Sequence, residues 1–554
     1  MTSKSGNRIF AETLKAYGSD HFFHVPVIVP LAIRDMTAIG VAPIVTHSEK
    51  AAAYMADGYA RASGRVGVCG AQAIGAANLA SGLLDALMAR SPVLALSGGS
   101  TPDTRERNFY QEVDQRGIYA GLTKFSARVE KAARLPDLLQ KAFRNATTGT
   151  AGPVHLELDD LWGSVLAEEF DDCFPRESRY GTCPAVRPKA PEEDVRKAAA
   201  ALRSAERPII VAGSGVRASG AQAALLAFAR SAQIPVATSL DAKSALPESE
   251  ALSVGVVGDY SRDTANMAVS DADFVLFVGT TTGSMVTRKW TVPRPGVTSV
   301  QIDIDPRELG RNYPLIVGLL GDPAAVLAQL GADLAGPIGK PAWLARIVAL
   351  RRKWNDLAAE HELSNAVPMR PERLCRLLSD CLPDGALVVV DTGHAAGWAG
   401  RNIYLDRPGQ GLMRAAGSLG WSFPASLGAK CAQRERPVVC FTGDGGFYYH
   451  LAEMETALRY GINTVTVVNN NHSFNQEMIL WWHQAAHEKN WKFSPVNFAG
   501  VAEIFGLKSY SVERPSDFQP AFKDALAAGR PALIDVQTAQ SAIVPLAWGP
   551  DVSN

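Results

Sequence analysis

The stretch Pro437-Val438-Val439-Cys440-Phe441-Thr442-Gly443-Asp444-Gly445-Gly446 decides how this chain is read, together with Asn470-Asn471, which follow 24 residues after Gly445. Pro437 to Phe441 is a short apolar run of the kind a buried strand needs. The glycines behind it let backbone approach a ligand more closely than residues with side chains could. From His450 to Tyr460, Leu451, Met454 and Leu458 recur at helical spacing, and Gly461 stops that helix. Thr464 to Val468 reads as a second buried strand that ends at the asparagines. Strand, helix and strand in this order form a right-handed crossover between parallel strands. Asp444 and the asparagines therefore reach the same carboxyl edge, where such sheets bind ligands. A carboxylate, an amide oxygen and a nearby carbonyl are hard oxygen donors that suit Mg²⁺. A helix starting near Phe447 would aim free N–H groups at the same place and favour an anion such as a diphosphate.

Outside this stretch, strand-like runs alternate with helical patterns, which predicts an α/β chain with parallel sheets. At 554 residues, three domains are expected: 1–183, 190–335 and 365–554. A Pro-rich linker, Pro184 to Glu193, separates the first two. Pro208 to Gly215, Phe274 to Gly279 and Ser299 to Asp305 supply strands of the second. No short-period repeat is visible. With 47% hydrophobic residues and a net charge of −1, the chain can bury large cores and has no electrostatic reason to bind nucleic acid or an anionic membrane. No apolar run is long enough to span a bilayer. The N-terminus reads as an amphipathic helix rather than a signal peptide. Seven cysteines without a CxxC are expected to be reduced, in a cytoplasmic protein.

The segment GDGGFYYHLAEMETALRYGINTVTVVNNN resembles the cofactor signature of thiamine diphosphate (ThDP) enzymes of the acetolactate synthase and pyruvate decarboxylase superfamily. The resemblance covers almost the whole chain. It implies a pyrimidine-binding domain, a central Rossmann-like domain and a diphosphate-binding domain. It implies Mg²⁺ held by Asp444, Asn471 and the carbonyl of Ser473, with Gly443, Gly445 and Gly446 beside the cofactor. The triple Asn469-Asn470-Asn471 leaves a one-residue ambiguity, and alignment to Glu453, Thr456 and Gly461 favours Asn471. Glu49, in Glu49-Lys50-Ala51-Ala52-Ala53-Tyr54-Met55-Ala56-Asp57-Gly58-Tyr59-Ala60-Arg61, resembles the glutamate that touches the aminopyrimidine ring. There it would hydrogen-bond N1′ and help ionise the weakly acidic thiazolium C2–H, tuned by poor solvation. Gly417-Ser418-Leu419-Gly420 resembles the segment that bends the cofactor, with Gly417 accepting from its amino group and Leu419 as the wedge. Gly393 and His394 match a diphosphate-contacting turn. In the family the two halves meet across a subunit interface, so a homodimer, or a tetramer, is implied.

The implied reaction joins or cleaves C–C bonds next to a carbonyl in 2-oxo acids. Phe109 to Asp114, with Gln111 near the substrate, resembles the acetolactate synthase loop, as do Thr123 to Ser126 and Ile302 to Asn312. Three segments depart from the family. The loop before Asn78 reads Ala73-Ile74-Gly75-Ala76-Ala77, an early turn reads Phe23-His24-Val25-Pro26-Val27, and the flavin-associated arginine segment has no clear match at Thr280 to Lys289. FAD is therefore not expected. Glu477, six residues after Asn471, stands where pyruvate decarboxylases carry an active-site glutamate. A non-ligating decarboxylase or 2-hydroxyacyl lyase thus stays open, as does a catalytically weak ThDP-binding relative. His47, next to Glu49, is a candidate catalytic histidine or a core one. Trp481, Trp482 and Trp491 form either a lid or packing. No G-x-G-x-x-G follows the first strand, which argues against a nicotinamide dehydrogenase.

Overall fold

The structure is a computed structural model, and it describes residues 3–171, 176–477 and 488–550. Trp481 and Trp482 lie outside the described residues. Three six-stranded parallel sheets follow one another along the chain. In the first, the strands lie in the order Ala42–Val45, His21–His24, Gly67–Ala71, Val93–Gly99, Val154–Asp159, Phe125–Val129. In the third, the order is Gly411–Arg414, Leu387–Val390, Val438–Gly443, Val465–Asn470, Ala532–Gln537, Lys508–Val512. Numbered within each domain, both read 2-1-3-4-6-5. The outer domains therefore share one topology, although no residue-level repeat connects them.

The central sheet has the order 3-2-1-4-5-6, running from Ser253–Val256 through Pro208–Ala212 to Val317–Leu320. Its switch point lies where Gly213 follows the first strand and Gly279 follows the fourth. There the Gly213 N–H donates to Val278 O and the Gly215 N–H to Gly279 O. The amides that a phosphate would use at this turn are thus already bonded. The long helix Pro341–Glu362 buries Trp343, Ile347 and Leu350 against the central domain before the third begins.

Two helices join the outer domains. Helix Glu49–Ser63 follows the second strand of the first domain, and helix Ser422–Ala432 follows the second strand of the third. They touch backbone to backbone. A Cβ on Gly58 would lie 2.0 Å from Ala425 O, and one on Gly428 would lie 1.9 Å from Met55 O. Only glycine permits this approach. Beneath it runs a buried ionic chain. Arg61 donates to Asp57 and Asp85 from a side chain 3% exposed, and Trp421 Nε1 donates to Asp57 at 2.8 Å.

One expectation needs correction. The helix read from His450 to Tyr460, with an N-terminus near Phe447, is two pieces: Asp444–Phe447 and Glu453–Arg459. Between them the bonds run i to i−3, as in Tyr449 N–H to Gly446 O and His450 N–H to Phe447 O. The tighter turn lets Gly420 pack against Gly446 O and Tyr449. Apolar periodicity does not reveal such a break, because the buried face continues across it.

Candidate active site

Register builds the first half-site. Gly443 pairs opposite Asn469, so Asp444 and Asn471 emerge side by side at the carboxyl edge. The Asp444 carboxylate is buried. Its Oδ1 accepts from Gly445 N at 2.7 Å, and its Oδ2 accepts from Asn471 N at 3.2 Å and Ser473 N at 3.1 Å. No basic side chain among the described residues compensates it, and burial pushes its carboxyl up to about 7. The three asparagines divide. Asn469 Oδ1 accepts from Thr538, Asn470 Nδ2 donates to Asp535 and Val496 O, and Asn471 Oδ1 accepts from Ser473 Oγ at 2.8 Å. Of the three, Asn471 is the one beside Asp444. A Cβ on Gly443 or Gly417 would meet nothing within 4 Å, so open space borders both. An uncompensated buried carboxylate, neighbouring oxygen donors and open space at two glycines together fit a divalent cation carrying a diphosphate.

Asp391 supports this edge without reaching into it. Its buried carboxylate accepts from Thr392 N, Gly420 N, Ser422 N and Ser422 Oγ. Behind it Gly393 adopts φ +67°, and His394 is 8% exposed with both ring nitrogens unpartnered. Burial pulls the His394 ring down to about 4, so it is neutral near pH 7. Gly417 is exposed and Leu419 half-buried, both in the loop before helix Ser422–Ala432. Asp85 pins that loop. Its carboxylate accepts from Ala416 N at 2.9 Å, Gly417 N at 3.2 Å and Ser418 N at 2.9 Å. In a trans peptide the C=O points opposite to the N–H it shares a plane with. Ser418 N–H on Asp85 therefore turns the Gly417 carbonyl away from Asp85.

The second half-site belongs to the first domain. Glu49 opens helix Glu49–Ser63, which Ser48 caps through the Ala51 N–H. Asn78 Nδ2 donates to Glu49 Oε2 at 3.3 Å, and Gly75 lies against Glu49 Oε1. Gln111 Oε1 accepts from Ile74 N at 3.3 Å. Glu49, Asn78 and Gln111 thus gather around the first turns of helix Ala73–Met88. His47 does not join it through its ring, because its Nε2 bonds Glu455 at 2.7 Å. No hydrogen bond among the described residues links the Glu49 cluster to Gly417, Asp444 or Asn471. Glu477 is half-buried, and its neighbour Gln476 accepts from Tyr260 OH. Trp491 is buried, with Phe474 N–H donating to its carbonyl. Lys124 donates to carbonyls at the end of helix Leu135–Thr147, including Thr148 O at 2.9 Å, which is a helix-capping arrangement.

Asp85 went unnoticed in the sequence reading. Its signal is a lone carboxylate inside the apolar helix Ala73–Met88, a position where an acid needs dedicated partners.

Comparison with known proteins follows the same three units. Family models described as thiamine pyrophosphate enzyme N-terminal TPP binding domain, central domain and C-terminal TPP binding domain match residues 4–118, 195–330 and 391–536. The chain is 32% identical over 519 residues to the probable acetolactate synthase large subunit of Methanocaldococcus jannaschii, covering 91% of this chain and 86% of that protein. It is 30% identical to the acetolactate synthase large subunit of Parasynechococcus marenigrum, covering 96% and 87%. It is 28% identical to that of Lactococcus lactis, covering 97% and 93%.

Proposed function

Because the chain belongs to the thiamine pyrophosphate enzyme family, we propose that it is a ThDP- and Mg²⁺-dependent carboligase acting on 2-oxo acids, with acetolactate synthase-like chemistry. The observation that carries this reading is the buried, uncompensated Asp444 carboxylate beside Asn471 and Ser473. Asp444, Asn471 Oδ1 and the Ser473 carbonyl would hold the metal. Gly443, Gly445, Gly446, Gly393 and His394 would line the diphosphate. The Gly417 carbonyl, aimed by Asp85, would accept from the pyrimidine amino group, and Leu419 would pack under the ring. Bound ThDP supplies the carbon nucleophile and the electron sink. The chain supplies position and proton control. Glu49 would share a proton with the pyrimidine N1′, and Asn78 orients the Glu49 carboxylate. Gln111 would face the substrate.

A second copy of the chain would bring Glu49 to Asp444, which makes a homodimer the minimum unit. Exposed Ile74 and Tyr110 beside the Glu49 cluster, 59% and 72% exposed, support a covered surface there. No helix of the described residues is long and apolar enough to cross a membrane.

The decisive experiment is Glu49→Gln on ThDP- and Mg²⁺-loaded protein. C2–H exchange of bound cofactor should stop while ThDP stays bound. Undiminished exchange would refute the assignment. Wild-type protein given pyruvate should release CO₂ and a ligated 2-hydroxy-3-oxo acid; free aldehyde alone would favour a simple decarboxylase.

A further inference from the structure

A cavity of about 420 Å³ opens between the central and third domains, beside His394. Its size is that of a small-molecule site. The central domain contributes Asp259, Tyr260, Met285, Arg288 and Lys289. The third contributes His394, Gln476 and the segment Val544 to Ala547. None of the site residues derived above explains the two cations.

Three observations make it a built site. First, His394 lines it with both ring nitrogens unpartnered although the residue is 8% exposed. Buried polar atoms nearly always find partners, and His394 is the residue proposed to meet the diphosphate, so the cavity adjoins the place where the cofactor would sit. Second, Arg288, Lys289 and Trp290 all take positive φ, at 46°, 54° and 61°. A left-handed turn of three non-glycine residues is costly and persists only when its surroundings enforce it. Arg288 Nε to Ala547 O at 2.9 Å, and Thr287 Oγ1 accepting from Trp290 N at 3.0 Å, are the enforcing bonds. The turn carries both cations to the cavity. Third, the Lys289 side chain is exposed and makes no hydrogen bond or close ion pair among the described residues; its charge acts on Asp259. The one acid in the lining, Asp259, is partly buried; burial raises its carboxyl, against the opposing pull of Lys289 and Arg288, so two cations face one acid. Met285, Val544 and Leu546 form an apolar wall that suits an aliphatic spacer.

We propose that this cavity is a subsite for an anionic group, a carboxylate or a phosphate, carried by the substrate a few carbons beyond the reacting carbonyl. Arg288 and Lys289 bind that group, and Met285, Val544 and Leu546 pack against the chain that links it to the reacting end. The inference rests on the reaction proposed above. It adds to that reaction a preference for 2-oxo acids with a charged tail over those without one.

The test uses equilibrium binding to ThDP- and Mg²⁺-loaded protein, with glutarate, 3-phosphonopropionate and butyrate as non-reacting probes. Glutarate or 3-phosphonopropionate should bind at least tenfold more tightly than butyrate, and the tighter of the two identifies the tail. Lys289→Met, a change at an exposed side chain, should collapse that preference toward one. Arg288→Met should do the same, and Arg288→Lys should restore part of it. ThDP affinity is measured alongside. A preference that survives both methionine variants, or is absent in the wild type, overturns the subsite. So does a loss of ThDP affinity in Lys289→Met, which would assign the cations to the cofactor's own diphosphate. Turnover of 2-oxo acids is read separately. Turnover without probe preference sinks the subsite alone, and probe preference without any turnover sinks the reaction alone.

Discussion

Asp85→Asn is a change of one atom whose consequences follow from the bonds around it. Oδ1 accepts from Ala416 N at 2.9 Å and Arg61 Nη2 at 3.0 Å, and Oδ2 accepts from Gly417 N and Ser418 N. Asparagine keeps one acceptor oxygen and presents an NH₂ on the other side. Whichever way it turns, two donors lose their acceptor and face a donor. Each buried donor left unpaired costs about 1–3 kcal/mol. Arg61 retains Asp57, so its charge is not stranded. The sum for two donors is about 2–6 kcal/mol, which brackets the cost of breaking a buried ion pair. The same peptide planes set the Gly417 carbonyl, so ThDP affinity should fall together with stability, by at least about tenfold, or 1.4 kcal/mol. Calorimetric melting of apo-protein and a ThDP titration followed by tryptophan fluorescence give both readouts. A variant that melts within about one degree of wild type and binds ThDP equally well would refute the reasoning.

Two further outcomes are expected. The carboxyl of Asp444, pushed up to about 7 by burial, is protonated below that value, and a bound cation must displace the proton. Mg²⁺ affinity should therefore rise with pH up to about 7 and level off above it, and titrations at several pH values would reveal a flat profile if the group were already ionised. For the apo-protein the sign is opposite. A raised acid pKa contributes stability at low pH that is lost as pH climbs from about 4 to about 7, and added Mg²⁺ should restore it. Asn470 and Asn471, adjacent in sequence, should separate by function. Asn470→Ala takes one donor from Asp535, which keeps Phe498 N and Gln537 Nε2, and removes the donor to Val496 O, and should lower stability by about 1–3 kcal/mol. Asn471→Ala should weaken Mg²⁺ binding with a much smaller effect on apo-protein melting. Equal effects from the two in denaturation and metal titration would contradict the geometry.

Local residue pattern revealed a good part of the candidate site. Glycines, an acid and amides at strand ends name their own chemistry, so Asp444 and the asparagine run were candidates from residue type alone, whereas Glu49 and the choice of Asn471 came from the family resemblance. What sequence could not show was which of three like side chains faces which way. Asn469, Asn470 and Asn471 are chemically identical, and strand alternation with the Gly443–Asn469 register divides them. His47 illustrates the same limit. Its neighbour Glu49 opens a helix and turns to Asn78, whereas its own ring finds Glu455 in another domain. Such a partner, over four hundred residues away, leaves no local trace.

The amino-acid sequence by itself determined the α/β class, the parallel crossover around Gly443 to Asn471 and the chemical nature of the clamp, because each depends on periodicity and residue type over short spans. Tertiary structure alone decided that the outer domains share one strand order, that Gly58 and Gly428 bring their helices into backbone contact, that Asp85 reaches across to aim the Gly417 carbonyl, and that Arg288 and Lys289 line one cavity with His394. These are contacts between distant segments. They are set by the shape of packed backbones and by the need to pair every buried charge and amide, neither of which is encoded at any single position.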